Sequence, residues 1–478
     1  LFCLGIIATS FGGCSVVLDF SECESDADCE FSCVEGVCEG PPTCAQRSDC
    51  AAQGEDAYCL SGTCRVIDRQ KCPTLGQSFT TYADDVIIPI GAVMPLSGEN
   101  APKGEATLNG AELAIRQINA AAGGSRSGAK YGLIVCDTAY DPTTAADLTS
   151  YLHEDLGVQG VVGAISSAES IEIVDKVARE DEVLLISPAS TAPALTGRSD
   201  YFWRTIASDA DQASAMGTYL ANEGLDDSVA VLYTGDTDPY GAGFLSALNT
   251  YWANNEAPDP RKVAAFDKTN PASGIEALNN STLYGTNGIN PKTIILIGPV
   301  NSLALLTALE RDIISQLPSQ DKPIWILPDA LRDQALLNNS ALVDVFPRIR
   351  GTIPARQDTM LFNNYKVLYE TAYSSDPLRY QFPDKAYDAA YIIALAHESH
   401  ADPLTATSQD LVATLKRLTG GQEQFEAIAT SFSETASVLR DGRTISMQGV
   451  SGPIQFSTQR DLINPTIAFW TIDSSKSP

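Results

Sequence analysis

Short apolar runs alternate with amphipathic segments over most of the chain. Residues 86–93 (VIIPIGAV) form a near-continuous apolar run with the length of a buried strand. The next segment has apolar residues at Leu108, Ala111, Ile115 and Ile118, which is the spacing of one helical face, and it stops at two glycines. The same alternation predicts strands at 133–136, 158–162 and 183–186 and helices at 143–156 and 167–179. This βα repetition predicts a parallel sheet covered by helices.

A second series of the same kind starts near residue 208. It predicts helices at 211–220, 241–254, 274–283 and 301–314, alternating with strands at 229–233, 262–266, 293–297 and 324–327. Three further helices are predicted at 361–373, 386–400 and 404–418. Two separate βα series predict an α/β protein with two doubly wound lobes. Ligands of such sheets bind beyond the carboxyl ends of the strands, so we expect a ligand cleft where the two lobes face each other.

Composition narrows the functions that such a fold can serve. The 478 residues include 60 Asp and Glu against 31 Lys and Arg, which gives a net charge of −29. This charge and the lack of a basic run argue against a nucleic-acid partner, because phosphates are held by clustered Lys and Arg. The sequence contains no G-x-S-x-G, P-loop or H-E-x-x-H motif. We therefore predict a protein that is not an enzyme and that uses no cofactor.

Two of the three histidines, His397 and His400, lie at the end of a predicted helix. A histidine at this position interacts favourably with the helix dipole and needs no metal to explain it. No metal site is therefore predicted.

The cysteines are concentrated near the N-terminus: 11 of the 12 precede residue 73. Such crowding is typical of an oxidising compartment, where disulfides replace a small hydrophobic core. Two four-cysteine units follow each other, Cys23, Cys29, Cys33 and Cys38 and then Cys44, Cys50, Cys59 and Cys64. Zinc ligation is the alternative, but it favours C-x2-C pairs and a reducing compartment, so disulfides are favoured. Residues 15–75 are predicted to form a stiff, acidic, disulfide-rich stalk whose pairing the sequence leaves open.

Four cysteines lie outside both units, and with Cys3 and Cys14 assigned to the N-terminal segment, residues 1–14, Cys72 and Cys136 remain. Two unmatched cysteines in an exported protein most simply pair with each other. Such a bond would attach the stalk to the main domain.

The first residues form an apolar run, 1–11, followed by Gly12, Gly13 and Cys14. The run fits a signal peptide over residues 1–14, and the small residues before Cys14 resemble the lipobox of bacterial lipoproteins, although Phe11 stands where Leu is usual. Acylation of Cys14 would anchor the protein to a bacterial membrane through lipid alone, on the extracytoplasmic side. The alternative is an ordinary cleaved signal peptide with Cys14 as a disulfide partner.

Between Ile90 and about Asp329, and more weakly to Ile472, several short motifs follow one another in a set order. They are Gly91-Ala92-Val93 with Ser97-Gly98, Gly110-Ala111-Glu112 with Ile118-Asn119, Cys136-Asp137 with Asp141-Pro142, Val162-Gly163 with Ser166-Ser167, the run 186–191 (ISPAST), and Trp203-Arg204-Thr205. Their order and spacing resemble type I periplasmic binding proteins. The nearest likeness is to the leucine/isoleucine/valine-binding family of ABC importers.

The resemblance implies a ligand site, because that family holds an amino acid by its α-carboxylate and α-ammonium. It implies that Ser167 and Thr191 face the carboxylate and that the carbonyl of Ser190 accepts from the ammonium. Tyr240 matches an aromatic residue that closes over the ligand, and Asp329 matches the partner of the ammonium. The alternatives are helix capping for the two hydroxyls and a solvated loop position for Asp329.

Two positions depart from the family pattern. Lys103 stands where the family usually has an aromatic residue beside the ligand side chain, so an aliphatic pocket is not expected. Cys136 matches a cysteine that usually bridges to the position held here by Ser166, which agrees with a bond to Cys72 instead.

The resemblance also implies a domain organisation. A type I binding domain is expected over residues 84–478, with a first lobe at 84–205 and 356–447 and a second lobe at 206–355 and 448–475. Ligand binding is expected to close the lobes about a hinge near 205–207 and 353–355.

The function implied is that of an extracytoplasmic solute-binding lipoprotein. It would capture an amino acid or a related small polar molecule and deliver it to an ABC permease. The alternative is a ligand-binding sensor module of the same fold that signals to a separate partner.

Overall fold

A computed structural model describes residues 32–34, 37–39, 43–82, 85–256, 261–271, 273–275 and 290–473. The predicted signal peptide with Cys14 and the pairing of the first four-cysteine unit lie outside the described residues, as does most of the helix predicted at 274–283.

The described strands, in chain order, are β1 (Ser32–Val34), β2 (Val37–Glu39), β3 (Ala57–Leu60), β4 (Thr63–Val66), β5 (Thr74–Leu75), β6 (Ile87–Met94), β7 (Lys130–Asp137), β8 (Gly160–Val162), β9 (Leu184–Ser187), β10 (Phe202–Arg204), β11 (Val229–Tyr233), β12 (Arg261–Ala265), β13 (Thr293–Ile297), β14 (Ile324–Leu327), β15 (Ile349–Pro354), β16 (Glu423–Glu426), β17 (Ile445–Gln448), β18 (Pro453–Ile454) and β19 (Ile467–Thr471).

The described α-helices are α1 (Gln77–Thr80), α2 (Ala101–Ala121), α3 (Pro142–Glu154), α4 (Ser167–Ile173), α5 (Asp209–Asn222), α6 (Pro239–Asn254), α7 (Leu303–Asp312), α8 (Gln334–Asn338), α9 (Met360–Tyr373), α10 (Pro383–Ser399), α11 (Ser408–Leu415) and α12 (Phe432–Arg440). None of these helices has the length and apolar character that a membrane crossing requires.

Two six-stranded sheets organise the chain into two lobes. The first lobe surrounds a sheet of order β10-β9-β8-β6-β7-β5, and the second lobe surrounds a sheet of order β12-β11-β13-β14-β15-β19. Pairing is parallel except at one edge of each sheet, where β5 and β19 run antiparallel to their neighbours. Every residue of β6 is buried, as expected for a strand covered by helices on both faces. The predicted α/β class with two lobes is confirmed.

The helix α10 forms the centre of the first lobe, because every one of its residues is buried. It packs against α2, and the contact is close enough that a Cβ atom at Gly110 would collide with the carbonyl oxygen of Pro383. A glycine in the middle of α2 is therefore a packing requirement. The α2 residues that contribute most to this core lie on the predicted amphipathic face, between Leu108 and Ile118.

The chain passes three times between the lobes. The passages follow β10, β15 and β18, and they lie side by side, with Ala355 N donating to Thr466 O at 2.7 Å. Sequence analysis predicted the first two near 205–207 and 353–355. The third was predicted at residue 448, but Val450, Ile454 and Phe456 belong to the core of the first lobe. The passage therefore starts after Phe456, because these apolar side chains are buried against the first sheet.

The second four-cysteine unit is part of the first lobe. Its bonds join Cys44 to Cys59 and Cys50 to Cys64. Tyr58 is fully buried, and its hydroxyl donates to Leu156 O at 2.5 Å. The stalk predicted over residues 15–75 is therefore wrong for this part of the chain, because Tyr58 gains an apolar site and a hydrogen bond only by docking.

A third disulfide joins Cys72 to Cys136, which lies on β7 of the first sheet. It attaches the end of the docked unit to the centre of the first lobe. Among the described residues, one group has the spacing of metal ligands, Cys44, Cys50 and Cys64. All three sulfurs are in disulfides, so they do not offer thiolates to a metal.

His397 lies in the last turn of α10, where sequence analysis predicted a favourable interaction with the helix dipole. The ring is buried instead, with Nδ1 at 3.1 Å from Pro403 O and Nε2 without a hydrogen-bond partner. Burial lowers the pKa of His397 to about 4 from an ordinary value of 6.5. The imidazole is therefore neutral at neutral pH, because burial penalises its charged form.

This neutral histidine predicts acid sensitivity. Between pH 6.5 and about 4 the unfolded chain binds a proton at His397 while the folded chain does not. Protons therefore favour unfolding in this window, and roughly 3 kcal/mol of stability present above pH 6.5 is lost by pH 4. Urea unfolding across this pH range measures the slope, and the His397→Gln variant should show a shallower one. The matched control is His400→Gln, at a more exposed histidine; equal slopes in all three proteins would contradict the prediction.

Candidate functional site

A cavity of about 300 Å³ lies between the two lobes. Its first-lobe wall comes from the start of α2 and from the segments that follow β7, β8 and β9. Its second-lobe wall comes from the segments that follow β11, β13 and β14. These segments are the carboxyl ends of parallel strands, where the topology predicts a ligand site. Ser167, Thr191, Tyr240, Asp329 and Lys103, five of the six ligand residues implied by the resemblance, line this cavity.

Hydroxyl groups dominate the first-lobe wall near α4. Ser166 is the capping residue of that helix: its Oγ accepts from Glu169 N at 3.2 Å, and Glu169 Oε2 accepts from Ser166 N at 2.9 Å. Ser167 is therefore not needed as the cap. Its Oγ accepts from Ala192 N at 3.1 Å, which leaves the hydroxyl hydrogen free to donate towards the cavity.

Thr191 and Ser190 differ in their exposure to the cavity. Thr191 lines it, and its Oγ1 lies 2.9 Å from Asp209 Oδ2. Ser190 is fully buried behind the wall, where its hydroxyl lies 2.8 Å from Ser170 Oγ and its carbonyl accepts from Arg204 Nη1 at 3.4 Å. The Ser190 carbonyl, for which the resemblance implied a ligand ammonium, thus already accepts one hydrogen bond from a guanidinium, and Ser190 is not among the residues that line the cavity.

The second-lobe wall contains a buried carboxylate. Asp329 Oδ1 accepts from Gln212 Nε2 at 3.1 Å and from the Tyr240 hydroxyl at 3.0 Å. Burial raises the pKa of Asp329, while these two hydrogen bonds and the charge of Lys103 oppose the shift. Asp329 is not a solvated loop residue, because only 2% of its surface is exposed.

Acceptors exceed donors around Asp329. Asp209 Oδ1, Gln212 Oε1 and Gln381 Oε1 are buried and have no hydrogen-bond partner among the described residues. Both glutamines donate to Asp329, Gln212 to the carboxylate and Gln381 to the main-chain carbonyl. Burial, and then the charge of Asp329, raise the pKa of Asp209 well above its ordinary value. These unpaired oxygens form an environment that suits a cation with several N–H donors, such as an ammonium.

Sequence analysis did not identify Asp209, Gln212 or Gln381 as site residues. The first two lie in the first turn of α5, shortly after the motif Trp203-Arg204-Thr205, whereas the helix was predicted to begin only at residue 211. Polar residues at a helix start are usually solvated, and the only available signal was their position after that motif. Gln381 precedes α10 and reaches Asp329 from a distant part of the chain.

Arg204 holds the loop behind the first-lobe wall. Its side chain is fully buried, and Nε lies 2.7 Å from Asp461 Oδ1. The guanidinium also donates to Ala192 O at 3.1 Å and to Thr196 Oγ1 at 2.7 Å. The position of Thr191 in the cavity therefore depends on this buried ion pair.

Two lobes built on mainly parallel sheets, with a cavity at the facing strand ends, define a bilobed ligand-binding protein. Residues 87–311 match the model of the family described as "Periplasmic binding protein". The Leu/Ile/Val-binding protein homolog 3 of Brucella melitensis is 34% identical over 176 residues, which are 37% of this chain and 45% of the relative. The leucine-, isoleucine-, valine-, threonine- and alanine-binding protein of Pseudomonas aeruginosa is 34% identical over 172 residues, 36% of this chain and 44% of the relative.

Solved structures share the fold over a longer part of the chain. The branched-chain amino acid transporter substrate-binding protein of Streptococcus pneumoniae, in complex with isoleucine, has a TM-score of 0.61 at 20% identity and covers 82% of this chain and 97% of its own. A leucine-binding protein of Thermotoga maritima has a TM-score of 0.62 at 17% identity and covers 81% of this chain and 96% of its own.

Over residues 87–311 the chain is similar to the periplasmic binding proteins, and the relatives that it matches there are named as leucine/isoleucine/valine-binding proteins. The resemblance predicted from the motifs is confirmed. The family consists of substrate-binding proteins rather than enzymes, which agrees with the lack of catalytic motifs. The sequence match spans about half the length of the curated relatives, 45% of the first one.

The Arg204 ion pair predicts a large stability effect. Arg204→Met leaves Asp461 without its partner and the two loop acceptors without their donor, so the free energy of unfolding should fall by about 3–5 kcal/mol. Lys292→Met removes an exposed ion pair with Asp227, at the amino ends of β11 and β13 in the second sheet, and should change stability little. Denaturant unfolding of both variants checks this; equal small effects would contradict the role given to Arg204.

Proposed function

We propose that this protein binds an amino acid or a related small polar carboxylate between its lobes and delivers it to an ABC permease. The observation that supports this most is the composition of the cavity. One wall offers hydroxyl donors, from Ser167 and Thr191, and the other offers a buried carboxylate, Asp329. The similarity to the family and the names of the relatives support binding of an amino acid.

In the proposed complex the ligand carboxylate lies against the first-lobe wall. Ser167 has an uncommitted hydroxyl hydrogen there. Thr191 donates to the ligand when Asp209 is protonated, because the carboxyl proton then satisfies the Thr191–Asp209 bond and frees the threonine hydrogen. The raised pKa of Asp209, caused by burial, supports that arrangement.

The ligand ammonium lies against the second-lobe wall in this proposal. Asp329 supplies the opposite charge, and Tyr240, whose hydroxyl already bonds Asp329, lies beside it in the cavity. The unpaired oxygens behind Asp329 support the assignment, since a cation with several N–H donors stabilises such a cluster. Ser190 holds the loop through Ser170 rather than contacting the ligand.

Delivery and location are part of the same proposal. The lobes close about the three adjacent passages when both walls contact one ligand, since a ligand shifts the equilibrium only by contacts it makes in the closed state. The lipid on Cys14 keeps the protein on the extracytoplasmic side of a bacterial membrane, near the permease.

A thermal-shift screen tests the binding proposal. L-Leucine, L-glutamate, L-glutamine and benzoate are suitable probes, because they separate an amino-acid ligand from a simple carboxylate. A probe at about 100 times its Kd should stabilise the folded state by about 2.7 kcal/mol, because it binds only that state. A panel of the twenty amino acids and small organic acids that gives no shift would count against the proposal.

The Asp329→Asn variant tests the ammonium position. Removing one charge of a desolvated pair should weaken the affinity of an amino-acid ligand by roughly 30-fold to several-thousand-fold, equivalent to ~2–5 kcal/mol. Asp344→Asn, at an exposed carboxylate of the same lobe, is the matched control and should bind normally. Titration calorimetry with the probe that gives the largest thermal shift measures both. Unchanged affinity in Asp329→Asn would refute the assignment of the ammonium to this residue.

A further inference from the structure

Lys103 provides a positive charge at the ligand cavity. It is the third residue of α2, in the first lobe, and its side chain is only 17% exposed. Lys103 and Asp329 line the same cavity, and the positive charge of Lys103 opposes the burial that raises the pKa of Asp329. The other lysine of the cavity wall, Lys268, is 47% exposed and can be hydrated.

The Lys103 ammonium lacks a hydrogen-bond acceptor. Its one ion-pair contact is with Asp333 Oδ2, at 3.7 Å, which is beyond hydrogen-bond distance. No other residue in the described ranges accepts from it. An ammonium has three N–H donors, and a ligand that fills the cavity against Lys103 leaves them unsatisfied unless it supplies an acceptor. The cavity therefore contains a cation that needs an anionic acceptor.

The Asp333 carboxylate also makes a hydrogen bond within its own lobe. It is the N-cap of α8, where Oδ1 accepts from Ala335 N at 2.9 Å. Its carboxylate is therefore held by its own helix, in the second lobe, while Lys103 belongs to the first. The Lys103–Asp333 pair spans the cleft. Because its two charged atoms are too far apart for a hydrogen bond, a ligand carboxylate placed closer to Lys103 can replace Asp333.

We propose that Lys103 determines ligand class: it binds a second carboxylate of the ligand, so the preferred ligand is a small acidic amino acid of the glutamate type. This inference rests on the proposed function, which supplies the positions of the α-carboxylate and the ammonium. The second carboxylate replaces Asp333 as the acceptor for Lys103. The second carboxylate accepts hydrogen bonds from the Lys103 ammonium within the cavity, which Asp333 does not do at its distance.

The named ligands of the relatives are mostly aliphatic amino acids, so this proposal separates the chain from them. Apolar residues such as Ile165, Ala189 and Phe382 also line the cavity, and they would suit the methylene groups of either ligand type. The two ligand types therefore differ in whether they offer an acceptor to the Lys103 ammonium. An aliphatic ligand would bury Lys103 further without giving it an acceptor, which is costly.

The test is titration calorimetry of the full chain with L-glutamate, L-glutamine and L-leucine. Glutamine is the matched probe, because it has the shape of glutamate without the second charge. Wild-type protein should prefer glutamate to leucine. Lys103→Met should weaken glutamate affinity by about 10- to 100-fold and should leave or improve leucine affinity. The loss should be smaller for glutamine, which offers a neutral acceptor.

A second variant separates ligand recognition from a structural role. Asp333→Asn keeps the helix cap, since Asn is as good an N-cap as Asp, but releases Lys103 from its ion pair. Glutamate affinity should then rise, by at least about threefold, in the direction opposite to Lys103→Met. Lys292→Met, at an exposed lysine far from the cavity, is the control for the loss of one positive charge.

The outcomes distinguish this inference from the proposed function. Leucine binding as tight as glutamate binding, or glutamate affinity unchanged in Lys103→Met, would overturn the inference and leave amino-acid binding intact. Equal losses in Lys103→Met and Asp333→Asn would also overturn it, because they would assign the pair a structural role in closing the cleft. Absence of glutamate binding overturns it as well, and the proposed function falls with it only if the whole panel of amino acids and organic acids fails to bind.

Discussion

The fold and the site both depend on one buried cation, the guanidinium of Arg204. It lies at the end of β10, directly before the chain first passes to the second lobe, and it is paired with Asp461 on the third passage. A fully buried guanidinium is tolerated only when its charge and donors are satisfied, so the surrounding loops must adopt positions that satisfy it. The carbonyl of Ala192 and the hydroxyl of Thr196 do so, which fixes the loop that presents Thr191 to the cavity.

The opposite wall is tied to the same region of the chain. The helix α5 begins immediately after the first passage, and its first turn carries Asp209 and Gln212. Asp209 bonds to Thr191 of the first lobe, while Gln212 bonds to Asp329 of the second. The first turn of α5, which lies beside the passages, therefore makes polar contacts with both walls of the cavity. In the proposed function, this is the part of the structure through which ligand contacts on either wall are coupled to the relative position of the lobes.

Sequence patterns predicted the interior of each sheet well, because buried parallel strands are continuous apolar runs. Strands β11, β13 and β14 have the predicted bounds, and five of the six residues predicted to contact a ligand line one cavity. The two antiparallel edge strands were missed: β5 has two residues, and β19 pairs with a strand more than a hundred residues earlier. The docking of Tyr58 and the pairing of Arg204 with Asp461 were missed for the same reason. Such contacts join segments that are distant in the sequence, so they produce no local hydrophobic periodicity from which they could be predicted.

In the proposed function, capture of a ligand depends on closure of the two lobes, and small-angle X-ray scattering measures closure most directly. The full chain is compared alone and with saturating L-glutamate, with L-leucine as the second probe. If both walls contact one ligand about the shared passages, the radius of gyration decreases when a probe that binds by calorimetry is added. A scattering profile that stays the same at saturation with a bound probe would contradict closure between the two lobes.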